Sequence, residues 1–374
     1  MRIETIAVHA GRGPDPSTGA LREPLHLSTT FERDADGTYP HGHTYARTSN
    51  PNRSTLEAAL AALEGGPECV AFGSGTATTL AAFSLATPGG RVVCATDCYY
   101  GTAKQLRDIV SRWNVRVEFV DTTQIGAVEE ALAPGASLLW IETPSNPLLK
   151  VSDIRALVEL AHARGALVGC DNTIASPVLQ RPLALGADLV MHSSTKHLGG
   201  HSDVLSGAIV VRERGAAFER LREFQVQGGG VPSPFDCWLV LRSLPTLPLR
   251  VRTQSTNALA VAQFLAADRR VERVHYPGLE THASHALASR QMQGGYGSLL
   301  SFQVPGAAAE ALAIVARTRV FTRATSLGGV ESLVEHRASM EDKQTKTPAN
   351  LIRMSLGLEN VADLLDDLDA ALGD

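Results

Sequence analysis

From about residue 54 the chain alternates between two textures: short runs that are apolar throughout, and longer stretches of helical character. A helix over 55–63 precedes a strand over 69–72, and a helix over 76–86 precedes a strand over 91–95. The same pairing repeats as 102–113 with 115–120, 125–132 with 137–142, and 153–164 with 167–170, and a further strand is expected over 188–191. Strands with no polar face, alternating with helices, predict a mostly parallel sheet covered on both sides. Right-handed crossovers make that sheet doubly wound. The first fifty residues, broken by Gly11, Gly13, Pro14, Pro16, Gly19, Pro24, Gly37, Pro40 and Gly42, predict an irregular arm. After a Pro-rich stretch at 244–249 a helix is expected over 252–267. Strands over 271–276, 298–304 and 351–355 then alternate with helices over 284–292, 307–316 and 361–372, which predicts a smaller α+β unit. The division expected is an arm over 1–53, an α/β domain over 54–245 and an α+β domain over 246–374.

Length supports that division, because 374 residues exceed one small core and fall short of three ordinary domains. A net charge of -5, spread without a basic block, excludes the electrostatic footprint of a nucleic-acid binder. No segment has the apolar length to cross a bilayer, and Glu4 interrupts any signal-peptide start, so a cytoplasmic protein without a membrane partner is expected. The five cysteines, Cys69, Cys94, Cys98, Cys170 and Cys237, lie in apolar strand-like segments and lack zinc spacing. They read as reduced, buried thiols, with no metal site.

Ligands of doubly wound sheets bind beyond the carboxyl ends of the strands, so the residues that follow each strand carry the chemistry. After 69–72 comes Gly73-Ser-Gly-Thr-Ala-Thr78, which serves either as a plain turn or as a phosphate cradle. It is not a dinucleotide fingerprint, because Thr78 stands where a third glycine is required. Tyr99 and Tyr100 follow the next strand, where an aromatic either packs or stacks on a flat heterocycle. Asn146 sits between Pro144 and Pro147, in a turn that could also present its amide. Asp171 ends a buried strand; it either caps the next segment or pairs with a protonated ring nitrogen. The last strand leads into His192-Ser-Ser-Thr-Lys-His-Leu-Gly-Gly-His-Ser202. A lysine confined there, flanked by the Ser193 and Thr195 hydroxyls, suits an imine-forming amine beside a phosphate. Together these strand ends outweigh the reading of Lys196 as a solvated surface lysine.

The same residues resemble the Cys/Met-metabolism family of pyridoxal-phosphate enzymes, which includes cystathionine γ-synthases and γ-lyases. The most specific stretch is Asp188-Leu-Val-Met-His-Ser-Ser-Thr-Lys-His-Leu-Gly-Gly-His-Ser-Asp203. Tyr45-Ala-Arg-Thr-Ser-Asn-Pro51, Glu142-Thr-Pro-Ser-Asn-Pro147, Tyr276-Pro-Gly-Leu279 and Ser326-Leu-Gly-Gly-Val-Glu-Ser332 support it. It runs from Thr5-Ile-Ala-Val-His-Ala-Gly11 to Leu351-Ile-Arg-Met-Ser-Leu-Gly-Leu-Glu359, essentially the whole chain. The resemblance implies the aspartate-aminotransferase-like fold (fold type I), with pyridoxal 5'-phosphate held by Lys196 as a Schiff base. It implies that Asp171 meets the ring nitrogen with Thr173 beside it. Gly75, Thr76, Ser193 and Thr195 would hold the phosphate, while Tyr99 stacks on the ring and assists proton transfer. Tyr45 and Arg47 would reach a neighbouring subunit's phosphate, which requires a homo-oligomer, expected as a dimer of dimers. Asn146, Ser326 and Arg353 would hold the substrate α-carboxylate.

The implied activity is γ-elimination or γ-replacement on cystathionine or homoserine-derived amino acids. Cystathionine β-lyase, methionine γ-lyase and O-acylhomoserine sulfhydrylase are the alternatives. Departures from the family pattern fall around the substrate. Thr325 stands where many members have glutamate, Thr76 replaces a common methionine, and Tyr100 a common glycine. His197 follows the lysine where other aromatics are usual, and the 340–350 segment is short. A dehydrogenase is excluded by the missing fingerprint. A non-catalytic scaffold would have lost Lys196 or Asp171, and both are present.

Overall fold

The computed structural model describes residues 1–341 and 347–373. Seven strands build the larger sheet: β1 (Glu68–Phe72), β2 (Arg91–Ala95), β3 (Arg116–Val120), β4 (Leu138–Glu142), β5 (Leu167–Asp171), β6 (Leu189–His192) and β7 (Gly207–Val211). Their order is β1-β7-β6-β5-β4-β2-β3. The pairs from β3 across to β6 are parallel, and β7 alone runs against both of its neighbours. The sheet is thus α/β and mostly parallel, as the chain pattern predicts.

Side chains explain why these strands have no polar face. On β1, Cys69 and Ala71 enter one core layer while Val70 and Phe72 enter the other. On β4, Leu138 and Trp140 point one way and Leu139 and Ile141 the other. Alternation across a pleat that is covered by helices on both sides demands apolar residues at every position. Helix Pro51–Glu64 covers one face. The Asn50 side chain caps it by accepting the Asn52 and Arg53 N–H groups, Pro51 fits its first turn, and Gly65 at φ 81° ends it. Glu57 ties this helix to the sheet: it accepts the Ala71 N–H at 2.8 Å and both Arg222 terminal nitrogens at 2.9 Å.

Five strands build the second sheet: β8 (Arg273–His275), β9 (Leu299–Gln303), β10 (Thr322–Arg323), β11 (Leu333–His336) and β12 (Leu351–Ser355), in the order β10-β11-β12-β9-β8. Helix Leu247–Ala267 joins the two layers. Its Leu247 and Val251 pack in the core of the larger sheet, and Ala258, Val261, Ala262 and Leu265 pack under the smaller one. It starts five residues before the expected 252, because Pro248 lies in the first turn, where no N–H is required.

The chain pattern did not predict β7, β10, β11, or helices Ile3–His9, Ser176–Leu179, Ala216–Gly228 and Pro234–Ser243. Helix Ile3–His9 gives the arm an ordered start by burying Ala7 beside Ile3 and Ile6. Antiparallel β7 has a direct consequence for the edge that carries the candidate residues. A Cβ added at Gly207 would stand 2.6 Å from the Ser74 carbonyl oxygen and 2.1 Å from the Thr78 hydroxyl. Gly207→Ala is therefore expected to push the 73–78 turn outward and cost about 1–3 kcal/mol. Urea unfolding checks this, and an unchanged midpoint contradicts it.

Candidate active site

Eleven of the thirteen residues singled out from the sequence line one cavity of about 410 Å³, a size suited to a small cofactor with its substrate. Beyond β1, the turn Gly73-Ser-Gly75 enters helix Gly75–Phe83, which Ser74 caps by accepting the Ala77 N–H at 3.1 Å. Gly75 faces Ser193: a Cβ there would lie 2.8 Å from the serine hydroxyl, so only glycine leaves room at this point. Thr76 lies beside it, its hydroxyl 3.1 Å from that of Ser74. The Thr195 hydroxyl exchanges bonds with the backbone of Ser206, and the Ser193 N–H donates to the Thr173 hydroxyl at 2.9 Å. This end of the cavity presents free helix-start N–H groups and hydroxyls, the chemistry of an anion cradle.

Asp171, at the end of β5, closes another side. Its Oδ1 accepts the Thr173 N–H at 2.9 Å, and burial pushes its carboxyl above the usual range. Among the described residues no cation forms an ion pair with it. Glu142 lies next to it across the β4–β5 register, and burial beside Asp171 raises Glu142 well above the usual range. Glu142 Oε2 accepts the Tyr99 N–H at 2.6 Å and so fixes where that ring stands over the cavity. Burial also raises the Tyr99 hydroxyl, with the Arg337 guanidinium opposing, so the phenol stays protonated at neutral pH.

Lys196 projects into the same space and donates to the Ser326 hydroxyl at 2.8 Å. Burial, seconded by the Arg353 guanidinium, lowers its amine from 10.5 to about 8. Ser326 carries φ 122°, a conformation a side chain rarely adopts, which places its hydroxyl on Lys196 and its carbonyl on Arg353 Nη2 at 3.1 Å. Arg353 Nη1 donates to Asn146 Oδ1 at 3.0 Å. Burial pushes Arg353 down to about 10, so it remains a cation.

Two expected residues lie elsewhere on the chain. Tyr45 is half exposed, Arg47 sits over its ring at 5.6 Å and donates to the Val226 carbonyl, and both line a separate depression with residues 231–234. Among the departures, Thr325 lies on the cavity wall, and Tyr100 packs edge-on against Tyr99 at 5.8 Å. His197 is buried between Ser298 and the Thr173 carbonyl, and burial lowers it to about 4, which keeps it neutral. Of the short 340–350 segment, residues 342–346 lie outside the described residues. Sequence reasoning missed Arg337 and Glu335. Glu335 lies in the four-residue strand β11 and Arg337 just beyond it, a run too short to register as a strand in the chain pattern.

The lowered amine gives a pH signature. In cofactor-free protein, the rate at which Lys196 captures an aldehyde should rise with pH to about 8 and then level off, because the neutral amine predominates above that point. A rate still climbing beyond pH 10 contradicts the buried environment.

Residues 4–373 match the family described as Cys/Met metabolism PLP-dependent enzyme. Cystathionine gamma-synthase of Mycobacterium tuberculosis is 47% identical over 99% of this chain and 96% of that protein. Human cystathionine gamma-lyase is 42% identical over 100% of this chain and 94% of its own length. The crystal structure of cystathionine gamma synthase from Xanthomonas oryzae pv. oryzae, in complex with aminoacrylate and cysteine, superposes with a TM-score of 0.96 at 40% identity. It covers 100% of this chain and 98% of that one. The chain belongs to the Cys/Met-metabolism family of pyridoxal-phosphate-dependent enzymes.

Proposed function

We propose that this enzyme makes or breaks the carbon–sulfur bond at the γ-carbon of cystathionine or of homoserine-derived amino acids. The observation that carries the reading is the meeting of Lys196 and Arg353 through Ser326 inside one cavity. It brings an amine of lowered basicity beside a guanidinium suited to a carboxylate. Near-complete coverage of both γ-synthase and γ-lyase relatives supports the γ-position.

The residues present fit pyridoxal phosphate. Gly75 leaves the cradle that a Cβ would fill, so the N–H groups of Gly75 and Thr76, with the Ser193 and Thr195 hydroxyls, would hold its phosphate. The uncompensated Asp171 carboxyl, with Thr173 bonded to it, would meet the ring nitrogen, and Lys196 would be the point of attachment. Bound there, the cofactor supplies a sink for the electron pair left at the substrate α-carbon. The protein's part is positional and protonic. Arg353 and Asn146 orient the substrate carboxylate, with Ser326 holding Arg353 in place. The Lys196 amine, neutral above about pH 8, takes the α-proton. A second proton then leaves Cβ, and the electron pair left there expels the γ-substituent, which Tyr99, held protonated on the cavity wall, would protonate. A thiol then adds to give replacement, or water completes elimination to ammonia and a 2-oxo acid. Thr325 on the wall offers no carboxylate to a distal ammonium, which favours homoserine-derived substrates over strict dependence on cystathionine.

The arm, residues 1–53, is read as a segment that carries Tyr45 and Arg47 to a neighbouring subunit's phosphate, within dimers that pair into tetramers. Their distance from the chain's own cavity supports this. Residues 54–245 and 246–374 are read as the cofactor and C-terminal domains. Five free, buried cysteines support a cytoplasmic setting. Among the described residues, no helix is long and apolar enough to cross a membrane.

A product assay tests the reading. Cystathionine should yield 2-oxobutanoate and ammonia, and an O-acylhomoserine with cysteine should yield cystathionine. Pyruvate as the main product from cystathionine would place cleavage on the other side of sulfur and contradict the γ-assignment. Lys196→Ala should abolish both reactions, and retained turnover would sink the mechanism. Arg47→Ala should speed cofactor loss on the order of tenfold by removing a charge-assisted phosphate contact. Unchanged retention would refute the inter-subunit role.

A further inference from the structure

The cavity wall carries two guanidiniums, and the reading above uses only Arg353. Glu335 on β11 and Arg353 on β12 are register partners, so Arg353 Nη2 and Glu335 Oε1 meet at 2.6 Å. Arg337 donates Nη1 to that same Oε1 at 3.0 Å and Nε to Glu341 Oε1 at 2.7 Å. Glu335, Arg337 and Arg353 are all buried, and Arg337 and Arg353 line the cavity. Two guanidiniums and two carboxylates leave this wall neutral as a set.

One detail shows that the set is not saturated. Glu335 Oε2 and Arg337 Nη2 are both buried without a hydrogen-bond partner. Buried polar atoms without partners are rare and costly, and here a free acceptor and a free donor belong to two side chains that already touch. Arg353 meanwhile spends Nη2 on Glu335, although it must receive the substrate carboxylate. We propose that Arg337 is a positioning residue that draws Glu335 off Arg353 when the substrate α-carboxylate binds. The exchange turns a single-oxygen contact into a two-oxygen pair between Glu335 and Arg337 and leaves the Arg353 fork to the substrate. It also keeps the charge even. Without Arg337, two carboxylates would share the wall with one guanidinium, just where a third carboxylate must dock. This inference rests on the assignment of Arg353 to the substrate carboxylate.

The test compares two ligands that carry no group for the enzyme to expel, L-norvaline and n-butylamine, the second lacking only the carboxylate. Binding is read as the change in absorbance of the bound cofactor. Arg337→Met should weaken norvaline by about tenfold or more and leave butylamine unchanged, while Arg337→Met with Glu335→Gln should restore norvaline to within about threefold. Glu335→Gln alone should bind norvaline at least as tightly as the unaltered enzyme, and it decides the matter if Arg337→Met does not fold. Equal weakening of both ligands, no weakening of norvaline, a double variant no better than Arg337→Met, or weakened norvaline in Glu335→Gln would each overturn the proposal. Failure of the unaltered enzyme to bind either ligand would instead count against the functional reading beneath it.

Discussion

An amine that attacks an aldehyde must be neutral, and in water a lysine is not. On the proposed reading, the site depends on removing water from Lys196, whose nitrogen keeps a hydrogen bond to the Ser326 hydroxyl. Burial does most of this, and the nearby Arg353 cation adds to it. Once Lys196 is set at the end of β6, the positions of its partners follow from the sheet. The ends of β1, β2, β4 and β5 point to the same edge, and each contributes one chemically distinct group. The smaller sheet closes the space with Ser326 and Arg353.

Burial imposes the same cost on every charge in the cavity, and the chain meets it differently at each position. Asp171 lies without a cation among the described residues, and its carboxyl is raised. Such a group is stabilised by a bound cation, which is what a protonated ring nitrogen would provide. Glu142 serves another purpose, because it accepts the Tyr99 backbone N–H and positions the ring. Arg353 is balanced by Glu335, and Glu335 in turn by Arg337. The geometry thus couples the Arg353 side of the cavity to a charge network two strands wide.

Much of this was legible in the chain. Strands apolar on both faces betray a covered parallel sheet, and residues that follow such strands are the natural place to look for chemistry. Lys196, Asp171 and Tyr99 were found that way. Antiparallel β7 was missed because its run at 207–211 follows a glycine-rich loop and is not preceded by the helix that marks parallel strands. Helix Leu247–Ala267 begins before the expected 252 because Pro248 falls in its first turn and Pro245 in the short helical turn Leu244–Thr246 before it, positions that need no N–H. Arg337 and Glu335 could not be read from spacing. Their importance comes from cross-strand pairing with β12, a contact between segments that only the folded chain brings together. Tyr45 and Arg47, singled out from the sequence, lie outside the cavity that gathers the other site residues and line a separate depression.

The most direct test of the central claim is to find where the cofactor is attached. Active protein treated with borohydride, digested and mapped by mass spectrometry should carry the pyridoxyl mass on the peptide containing Lys196. A label on any other lysine, or none in protein that turns over substrate, would contradict the account.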